Sequence, residues 1–223
     1  MKITPMMILT VLCPLLAFAG VSPAAQTVLD FDTAAGGTLP PDFSTALTGG
    51  GGPVMWMVKE DASAPSGGKV LAQTSTDTTD YRFPLCVYEK FTGRDVEVSV
   101  KFKAVAGKVD QAAGLVVRFQ DKDNYYITRA NALENNVRLY KVVGGNRKQF
   151  AGKTVQVSAG AWHTLKLATQ GNHFTVFFDD ARLFEADDDT LPQPGKVGFW
   201  TKADSVTYFD DLTIESHDDG GTP

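Results

Sequence analysis

The sequence predicts an all-β fold in which two antiparallel sheets pack face to face. Apolar and polar residues alternate with a period of two in several segments, as in half-buried strands. Clusters of Gly, Asn and Asp separate these segments, which is typical of turns. No segment after the N-terminal apolar run shows helical periodicity over a useful length. The pattern gives about a dozen strands, too many for one open sheet that does not split in two.

The N-terminal segment predicts a signal peptide over residues 1–24. Lys2 precedes an apolar run from Met6 to Phe18, and small-residue cleavage sites end at Ala19 and Ala24. The run is too short for a comfortable membrane span, and no other segment looks able to cross a membrane. We therefore expect a secreted or periplasmic protein with one β-domain over residues 25–215 and a disordered polar tail over 216–223.

The charge balance argues against nucleic acid as a partner. The chain has 21 Lys and Arg against 26 Asp and Glu, so removal of Lys2 with the signal leaves 20 − 26 = −6. Nonspecific nucleic-acid binding needs a basic face. Cys13 leaves with the signal as well, so Cys86 stands alone and no intrachain disulfide is expected. The apolar neighbours of Cys86 favour a small buried hydrophobe over a catalytic thiol.

In chain order, the first long segment, Gly36 to Pro53, is rich in Gly, Pro and Thr and predicts a loop. Alternating strands follow from Val96 onward, and a turn at Asp179-Asp180 predicts a tight hairpin. Residues 187–192 are acidic and end at a proline, which predicts one helical turn. The apolar positions of the alternating strands give the expected core: Val96, Val98, Val100, Phe102, Leu115, Val117, Leu165, Leu167, Phe174, Val176, Val197 and Phe199.

The segment from Ala112 to Tyr140 predicts three consecutive strands joined by polar turns. Arg118, Arg129 and Arg138 fall on the three strands in turn, so a meander brings three cations close together. Clustered like charges give an acidic protein no structural benefit, which makes this segment the best indication of a binding face. Arginine forks suit carboxylate or sugar hydroxyl acceptors. The alternative is that these arginines pair with Asp and Glu on neighbouring strands.

Two aromatic residues complete the expected ligand-binding face. Tyr140 shares the face of Arg138 by alternation, and Trp200 alternates away from the apolar Val197 and Phe199. Sugar C–H faces pack on aromatic rings, so Trp200 is a candidate platform. The alternative is a tryptophan half-buried beneath a loop, because this residue is rarely fully buried.

Several motifs occur together in a fixed order. They are Leu29-Asp30-Phe31-Asp32, Gly114-Leu115-Val116-Val117-Arg118, Asn124-Tyr125-Tyr126, Ala161-Trp162-His163-Thr164-Leu165-Lys166, Phe174-Thr175-Val176-Phe177-Phe178-Asp179, Gly195-Lys196-Val197-Gly198-Phe199-Trp200 and Phe209-Asp210-Asp211-Leu212. Together they resemble the concanavalin A-like lectin/glucanase superfamily of laminin-G and family-16-glycosidase-like jelly rolls. The nearest group resembles secreted bacterial DUF1080, or 3-keto-disaccharide hydrolase-like, domains.

This resemblance implies a jelly-roll β-sandwich whose concave face holds carbohydrate. The family-16 glycosidases carry E-x-D-x-x-E on one strand, and the nearest match here, Glu185 to Thr190, lacks the final Glu. We therefore expect a carbohydrate-binding module without glycosidase activity, with an anionic glycan as one candidate ligand. A hydrolase of the 3-keto-disaccharide type remains the alternative, and the sequence leaves open whether the chain is an enzyme.

Four acidic residues near the two ends of the domain form a candidate metal site. Asp30, Asp32, Asp210 and Asp211 meet if the terminal strands pair, and carboxylates gathered in this way suit a structural calcium ion. The alternative is a β-bulge with solvated acids. No other cofactor is expected. His163 shares its face with Leu165 and Leu167, which favours a satisfied core histidine over a general base.

Overall fold

The computed structural model describes residues 26–217, and these form fifteen β-strands without a helix. The strands are β1 (Gln26–Leu29), β2 (Phe43–Gly49), β3 (Trp56–Glu60), β4 (Lys69–Gln73), β5 (Arg82–Gly93), β6 (Val96–Ala106), β7 (Ala112–Asp121), β8 (Asn124–Asn131), β9 (Asn136–Val143), β10 (Asn146–Thr154), β11 (Trp162–Gln170), β12 (His173–Phe178), β13 (Ala181–Asp187), β14 (Gly195–Trp200) and β15 (Val206–Ser216). The prediction of an all-β, two-sheet fold is confirmed.

The strands form two antiparallel sheets. Sheet A has the order β13-β12-β11-β6-β15-β4-β3, and β1 adds to β15 beside it. Sheet B has the order β10-β9-β8-β7-β14-β5-β2. The predicted meander is therefore present as β7, β8 and β9, side by side in sheet B. The return of β14 between β5 and β7 places Trp200 in the same sheet, although it is distant in sequence.

The main core lies between the two sheets. All twelve residues predicted for it are buried and belong to one apolar cluster. Cys86 is also part of this cluster, as its apolar neighbours predicted. The predicted hairpin at Asp179-Asp180 is confirmed, since both residues have positive φ, at 47° and 64°. This is the turn geometry whose twist matches that of the flanking strands.

Two local predictions are wrong. The predicted loop from Gly36 to Pro53 contains β2, whose backbone pairs with β5 from Phe43 to Gly49. The predicted helical turn over 187–192 is absent, because β13 continues through Asp187 and the chain beyond it is irregular. Asp188 anchors that irregular segment by accepting hydrogen bonds from Lys141 and Tyr126.

The predicted domain ends are only partly within the described residues. β15 runs through Ser216, one residue beyond the expected domain boundary. The predicted signal peptide and the rest of the predicted tail lie outside residues 26–217. Within that range, no helix is long and apolar enough to cross a membrane.

Candidate functional site

The outer face of sheet B, which points away from the main core, carries a second buried apolar cluster. Its members are Phe83, Leu85, Val87, Ala112, Val116, Tyr125, Ile127, Tyr140, Val142 and Trp200. The sheet curls strongly enough to bury them. The Arg147 guanidinium on β10 lies 4.5 Å from the centre of the Phe83 ring on β5. Five strand spacings separate these strands, or about 24 Å in a flat sheet.

The loop between β4 and β5, residues 74–81, closes one side of this curled face; we call it the strap. The Tyr81 hydroxyl donates a hydrogen bond to the Gly145 carbonyl oxygen at 2.8 Å and accepts one from the Arg147 backbone N–H at 3.0 Å. Asp80 forms an ion pair with Lys202 at 2.6 Å. The strap therefore connects β5 to the tip of the β9–β10 hairpin across the face.

Arg129 lies on this face in a dense polar cluster. Its guanidinium donates to the Asn136 amide oxygen at 3.0 Å, to a Glu134 carboxylate oxygen at 2.7 Å and to the Tyr140 hydroxyl at 3.1 Å. Only 3% of Arg129 is exposed. Burial lowers its pKa, but the Tyr140 and Glu134 oxygens outweigh that effect, so the pKa of Arg129 is raised. The guanidinium is thus a fixed, permanently charged group.

Arg138 stands beside Arg129 as its cross-strand partner in the β8–β9 register. No side-chain hydrogen bond or ion pair of the Arg138 guanidinium is found among residues 26–217, and the residue is partly exposed. A Cβ atom on Gly152 of β10 would lie 2.4 Å from Arg138 Cδ, so this glycine makes room for the side chain. Arg138 is therefore a positioned cation at the rim of the face.

Arg147 is the functional candidate that sequence reasoning missed. Its guanidinium lies over three rings, at 4.5 Å from Phe83, 4.6 Å from Tyr140 and 5.5 Å from Trp200. Within residues 26–217 no carboxylate lies within ion-pair distance of it, and its buried Nη1 atom has no hydrogen-bond partner. Burial lowers its pKa. The available signal was its place directly after the Gly144-Gly145-Asn146 turn, where the hairpin folds onto the face.

Trp200 lies on the predicted face but does not present a platform. The residue is fully buried, its ring stacks on Phe83 at 5.1 Å, and Arg147 covers it. Its expected role as an exposed sugar platform is wrong for this arrangement. We call Arg129, Arg138, Tyr140 and Arg147, together with Glu134, the arginine cluster. Trp200 supports the cluster from below.

Arg118 does not join the arginine cluster. The residue has a positive φ of 50°, which interrupts the alternation of β7 and turns its side chain to the end of the sandwich. There its guanidinium donates to the carbonyl oxygens of Arg94, Leu191 and Gly171 and packs against Phe174. The placement of Arg118 on the shared face is therefore wrong, because the bulge could not be read from alternation.

The four predicted metal-binding acids are only partly brought together. β1 and β15 pair as expected. Asp32 accepts a hydrogen bond from the backbone N–H of Lys69 at the start of β4, and Asp210 accepts one from the backbone N–H of Ser66 in the loop before β4. Asp30 is exposed, and Asp211 lies in a bulge with a φ of 50°. In residues 26–217, no group of three or more His, Cys, Asp or Glu side chains has an arrangement that could hold a metal.

Asp210 is the unusual member of this set. It is fully buried, and burial together with the adjacent Asp211 raises its pKa to about 6. The Asp210 carboxylate accepts hydrogen bonds from the Ser66 and Asp211 backbone N–H groups at 3.2 Å and 2.8 Å. Donors therefore already occupy positions that a cation would approach, so the residues present fit a metal only in part.

Glu185 and Asp187 belong to the segment that most nearly matches the family-16 glycosidase motif, and both form ion pairs at the surface. Glu185 lies on β13 and pairs with Arg182 at 2.7 Å, and Asp187 pairs with His173 at 2.8 Å. Both residues lie on β13, so Asp187 belongs to a strand and not to the helical turn predicted from residue 187 onward. His163 has hydrogen-bond partners on both ring nitrogens, as a satisfied histidine requires. Its Nδ1 atom forms a hydrogen bond with the Asp179 carboxylate at 2.8 Å. Its Nε2 atom contacts the Ser158 backbone, so neither ring nitrogen is free for chemistry.

The two-sheet fold is that of a lectin-like jelly-roll module. The chain belongs to the family of the galactocerebrosidase C-terminal lectin domain, whose family model matches residues 86–217. No curated protein sequence matches the chain.

Solved structures share the fold at low sequence identity. The carbohydrate-binding module CBM66 from Bacillus subtilis aligns with a TM-score of 0.62 and 21% identity, over 78% of this chain and 96% of that one. The cellulose-induced protein Cip1 aligns with a TM-score of 0.60 and 15% identity, over 85% and 97%. Domain 4 of the arabinanase AbnA from Geobacillus stearothermophilus, solved with arabinotriose, aligns at 0.56 and 12%, over 87% and 94%.

Proposed function

We propose that this protein binds carbohydrate through the arginine cluster and prefers glycans that carry an acidic group. The observation that carries the proposal is the Arg147 guanidinium, held among three rings with no carboxylate partner among residues 26–217. A buried donor without an acceptor is rare in folded proteins and marks a place where a ligand atom or water completes the bonding. Membership of a lectin-domain family supports a glycan as the source of that acceptor.

The charges of the cluster support an acidic ligand. Arg129, Arg138 and Arg147 contribute three cations, and among residues 26–217 only the Glu134 carboxylate lies within ion-pair distance of any of them. Arginine binds planar carboxylates and sulfates with two parallel hydrogen bonds, which gives both energy and orientation. A uronate or sulfated sugar would balance the remaining charge, and its hydroxyl groups would bond to Glu134 and Tyr140.

A glycan array with neutral, carboxylated and sulfated members tests the proposal. We expect binding to acidic members, and Arg138→Ala should weaken it by about tenfold or more, the effect of losing one charge-assisted hydrogen bond. Arg182→Ala is the matched control, because Arg182 is an exposed arginine on β13 of the other sheet. Binding of neutral glycans only, or an equal effect of both variants, would contradict the preference for acidic groups.

The hydrolase alternative has its own test. The 3-keto-disaccharide hydrolase-like reading needs an acid–base pair, and Glu185 and Asp187 are the acids that match the glycosidase motif most nearly. Both are exposed and paired with Arg182 and His173. We expect no sugar release from any glycan that binds. Turnover by the wild-type protein that Glu185→Gln abolishes would replace the binding function with an enzymatic one.

The proposal has two further parts, which are export of the protein from the cytoplasm and a structural calcium ion. The signal-peptide pattern over residues 1–24 and the resemblance to extracellular modules support secretion or export to the periplasm. Fractionation of the producing cells, with N-terminal sequencing of the mature protein, tests this. A structural calcium ion at Asp30, Asp32, Asp210 and Asp211 is supported by the pairing of β1 with β15, which brings the two ends of the domain together. Addition of calcium should then raise the melting temperature, and Asp210→Asn should remove that increase.

A further inference from the structure

We propose that a cavity beside β1 and β2, at the edge of the sandwich, is a second sugar-binding site that accepts one uncharged sugar unit. It is separate from the arginine cluster, because its rings belong to the main core and not to the outer face of sheet B. The proposal therefore does not depend on the function of that cluster. Three observations carry it: an opening into the core, the oxygen atoms around that opening, and the sign of the charges there.

The segment between β1 and β2, residues 30–42, leaves an opening into the main core where it passes from sheet A to sheet B. The cavity has a volume of about 400 Å³, which is within the range of small-ligand sites. Phe31, Phe43 and Tyr88 form its floor, and each remains 6–8% exposed, whereas their neighbour Phe199 is fully buried. The core is therefore accessible from solvent at this edge.

The rings of the floor are held in fixed positions. Phe43 and Tyr88 are cross-strand partners in the β2–β5 register, and their ring centres are 5.2 Å apart. The Phe31 ring lies 5.9 Å from that of Phe43, and Phe31 has a positive φ of 64°. A bulky residue rarely adopts this backbone conformation, and such strain is concentrated at ligand sites. The apolar floor is thus formed before a ligand arrives.

Oxygen atoms lie around this apolar floor. The Tyr88 hydroxyl has no hydrogen-bond partner among residues 26–217, and Tyr88 lines the cavity. The Asp42 carboxylate lies at the mouth, in an exposed ion pair with Lys90 at 3.6 Å. A purely apolar ligand would take water from these groups without replacing its hydrogen bonds, which costs free energy. A sugar ring carries hydroxyl groups on an apolar C–H framework, so it satisfies both parts of the cavity.

The charges at the cavity disfavour an acidic sugar. Within residues 26–217, the charged side chains that line it are those of Asp30 and Asp42, and no Lys, Arg or His is among them. A uronate or sulfated sugar would meet charges of its own sign. A cationic ligand would compete with the Lys90 ammonium for Asp42. The arginine cluster has the opposite charge, so the cavity and the cluster select different sugars.

Methyl NMR of the intact protein tests the proposal, because each site has its own reporter. Val28 and Leu29 line the cavity, whereas Leu133 precedes Glu134 of the arginine cluster. The probes are glucose, galactose, xylose, arabinose and neutral disaccharides built from them, with galacturonate as the acidic comparison. We expect neutral probes to shift the Val28 and Leu29 signals and to leave Leu133 unchanged. Galacturonate should leave the Val28 and Leu29 signals unchanged.

Two variants test the cavity itself. Tyr88→Phe keeps the ring and removes the hydroxyl, so the affinity for a neutral sugar should fall about three- to tenfold. Ala34→Trp fills the opening from a partly exposed position, so the shifts at Val28 and Leu29 should disappear. Tyr208→Phe is the matched control, since Tyr208 is a partly exposed tyrosine on sheet A. Undiminished neutral-sugar binding by a folded Ala34→Trp protein would overturn the site.

The outcomes separate the cavity from the arginine cluster. If no neutral probe shifts the Val28 and Leu29 signals, the cavity is not a sugar site, and binding of acidic glycans at the cluster still stands. Neutral probes that shift Leu133 instead would overturn the cavity and would also contradict the preference of the cluster for acidic groups. Neutral-sugar shifts at Val28, together with no response to galacturonate at Leu133, would support the cavity and count against the cluster.

Discussion

The guanidinium of Arg147 lies 4.5 Å from the ring centre of Phe83, although four strands separate their own strands in sheet B. This contact closes the outer face of the sheet on itself and produces the second apolar cluster. Arg147 is thus both a structural cover for the Phe83 and Trp200 rings and the most unusual charge of the arginine cluster. These two roles can be separated by a substitution that keeps an apolar, polarisable group over the rings but removes the charge.

Arg147→Met should therefore retain the fold and lose ligand affinity. Methionine keeps an unbranched apolar stem and makes favourable contacts with aromatic rings, so the rings stay covered. We expect a loss of acidic-glycan affinity of about tenfold or more, as measured by titration calorimetry, with little change in the melting temperature. Arg182→Met is the control. Unchanged affinity in a folded Arg147→Met protein would assign Arg147 to packing alone.

Arg118→Met should have the opposite effect. The Arg118 guanidinium donates to three backbone carbonyl oxygens at the end of the sandwich, and removal leaves these acceptors without their donor. We expect a loss of about 2–4 kcal/mol in the free energy of unfolding, measured with urea. The folded fraction should bind glycan as the wild-type protein does. A selective loss of binding without destabilisation would return Arg118 to the ligand-binding residues.

The contrast between these arginines indicates what the sequence could predict. Alternation placed Arg138 and Tyr140 on one face of β9 and directed Trp200 away from the core, and the structure agrees with both placements. Alternation predicted the wrong direction for the Arg118 side chain, because the register between β7 and β8 shifts after Val117. A bulge reverses the direction of a side chain but leaves no clear mark in the residue pattern.

The depth of the site could not be predicted for a different reason. Burial of Trp200 depends on how far sheet B curls, and the curl is set by contacts between strands that are distant in sequence, such as Tyr81 with Gly145. Arg147 was missed because its function depends on that contact. The core was predictable because period-two alternation decides which side of each strand is apolar before any long-range contact is known.

Asp188 should make stability depend on pH in the acidic range. Burial raises its pKa, but hydrogen bonds from Lys141, Thr190 and Tyr126 outweigh this and lower the pKa to about 2. The ordinary value is 3.8, so the folded state holds the ionised form more strongly than the unfolded state. This stabilisation is complete above about pH 5 and is lost as the pH falls toward 2.

The measurement compares wild-type protein with Asp188→Asn. At neutral pH the variant should be less stable by roughly 2 kcal/mol, the energy equivalent of the pKa shift. The difference should shrink as urea unfolding is repeated at lower pH, because the wild-type carboxylate then becomes protonated. A difference that stays constant from neutral pH to pH 2 would indicate that packing, and not the charge of Asp188, anchors the segment after β13.

Leu165→Ala tests the register of the main core. Leu165 is fully buried, and its cross-strand neighbours in the pairing are Val100 on β6 and Phe178 on β12. Removal of a buried leucine side chain costs about 2–5 kcal/mol, because apolar contacts are lost and the surrounding strands fill the cavity only partly.

Lys166→Ala is the matched control, since Lys166 is the next residue on the strand and pairs at the surface with Glu97. A surface ion pair of this kind contributes at most about 1 kcal/mol. Urea unfolding should therefore separate the two variants clearly, and similar small losses for both would mean that β11 does not direct Leu165 into the space between the sheets.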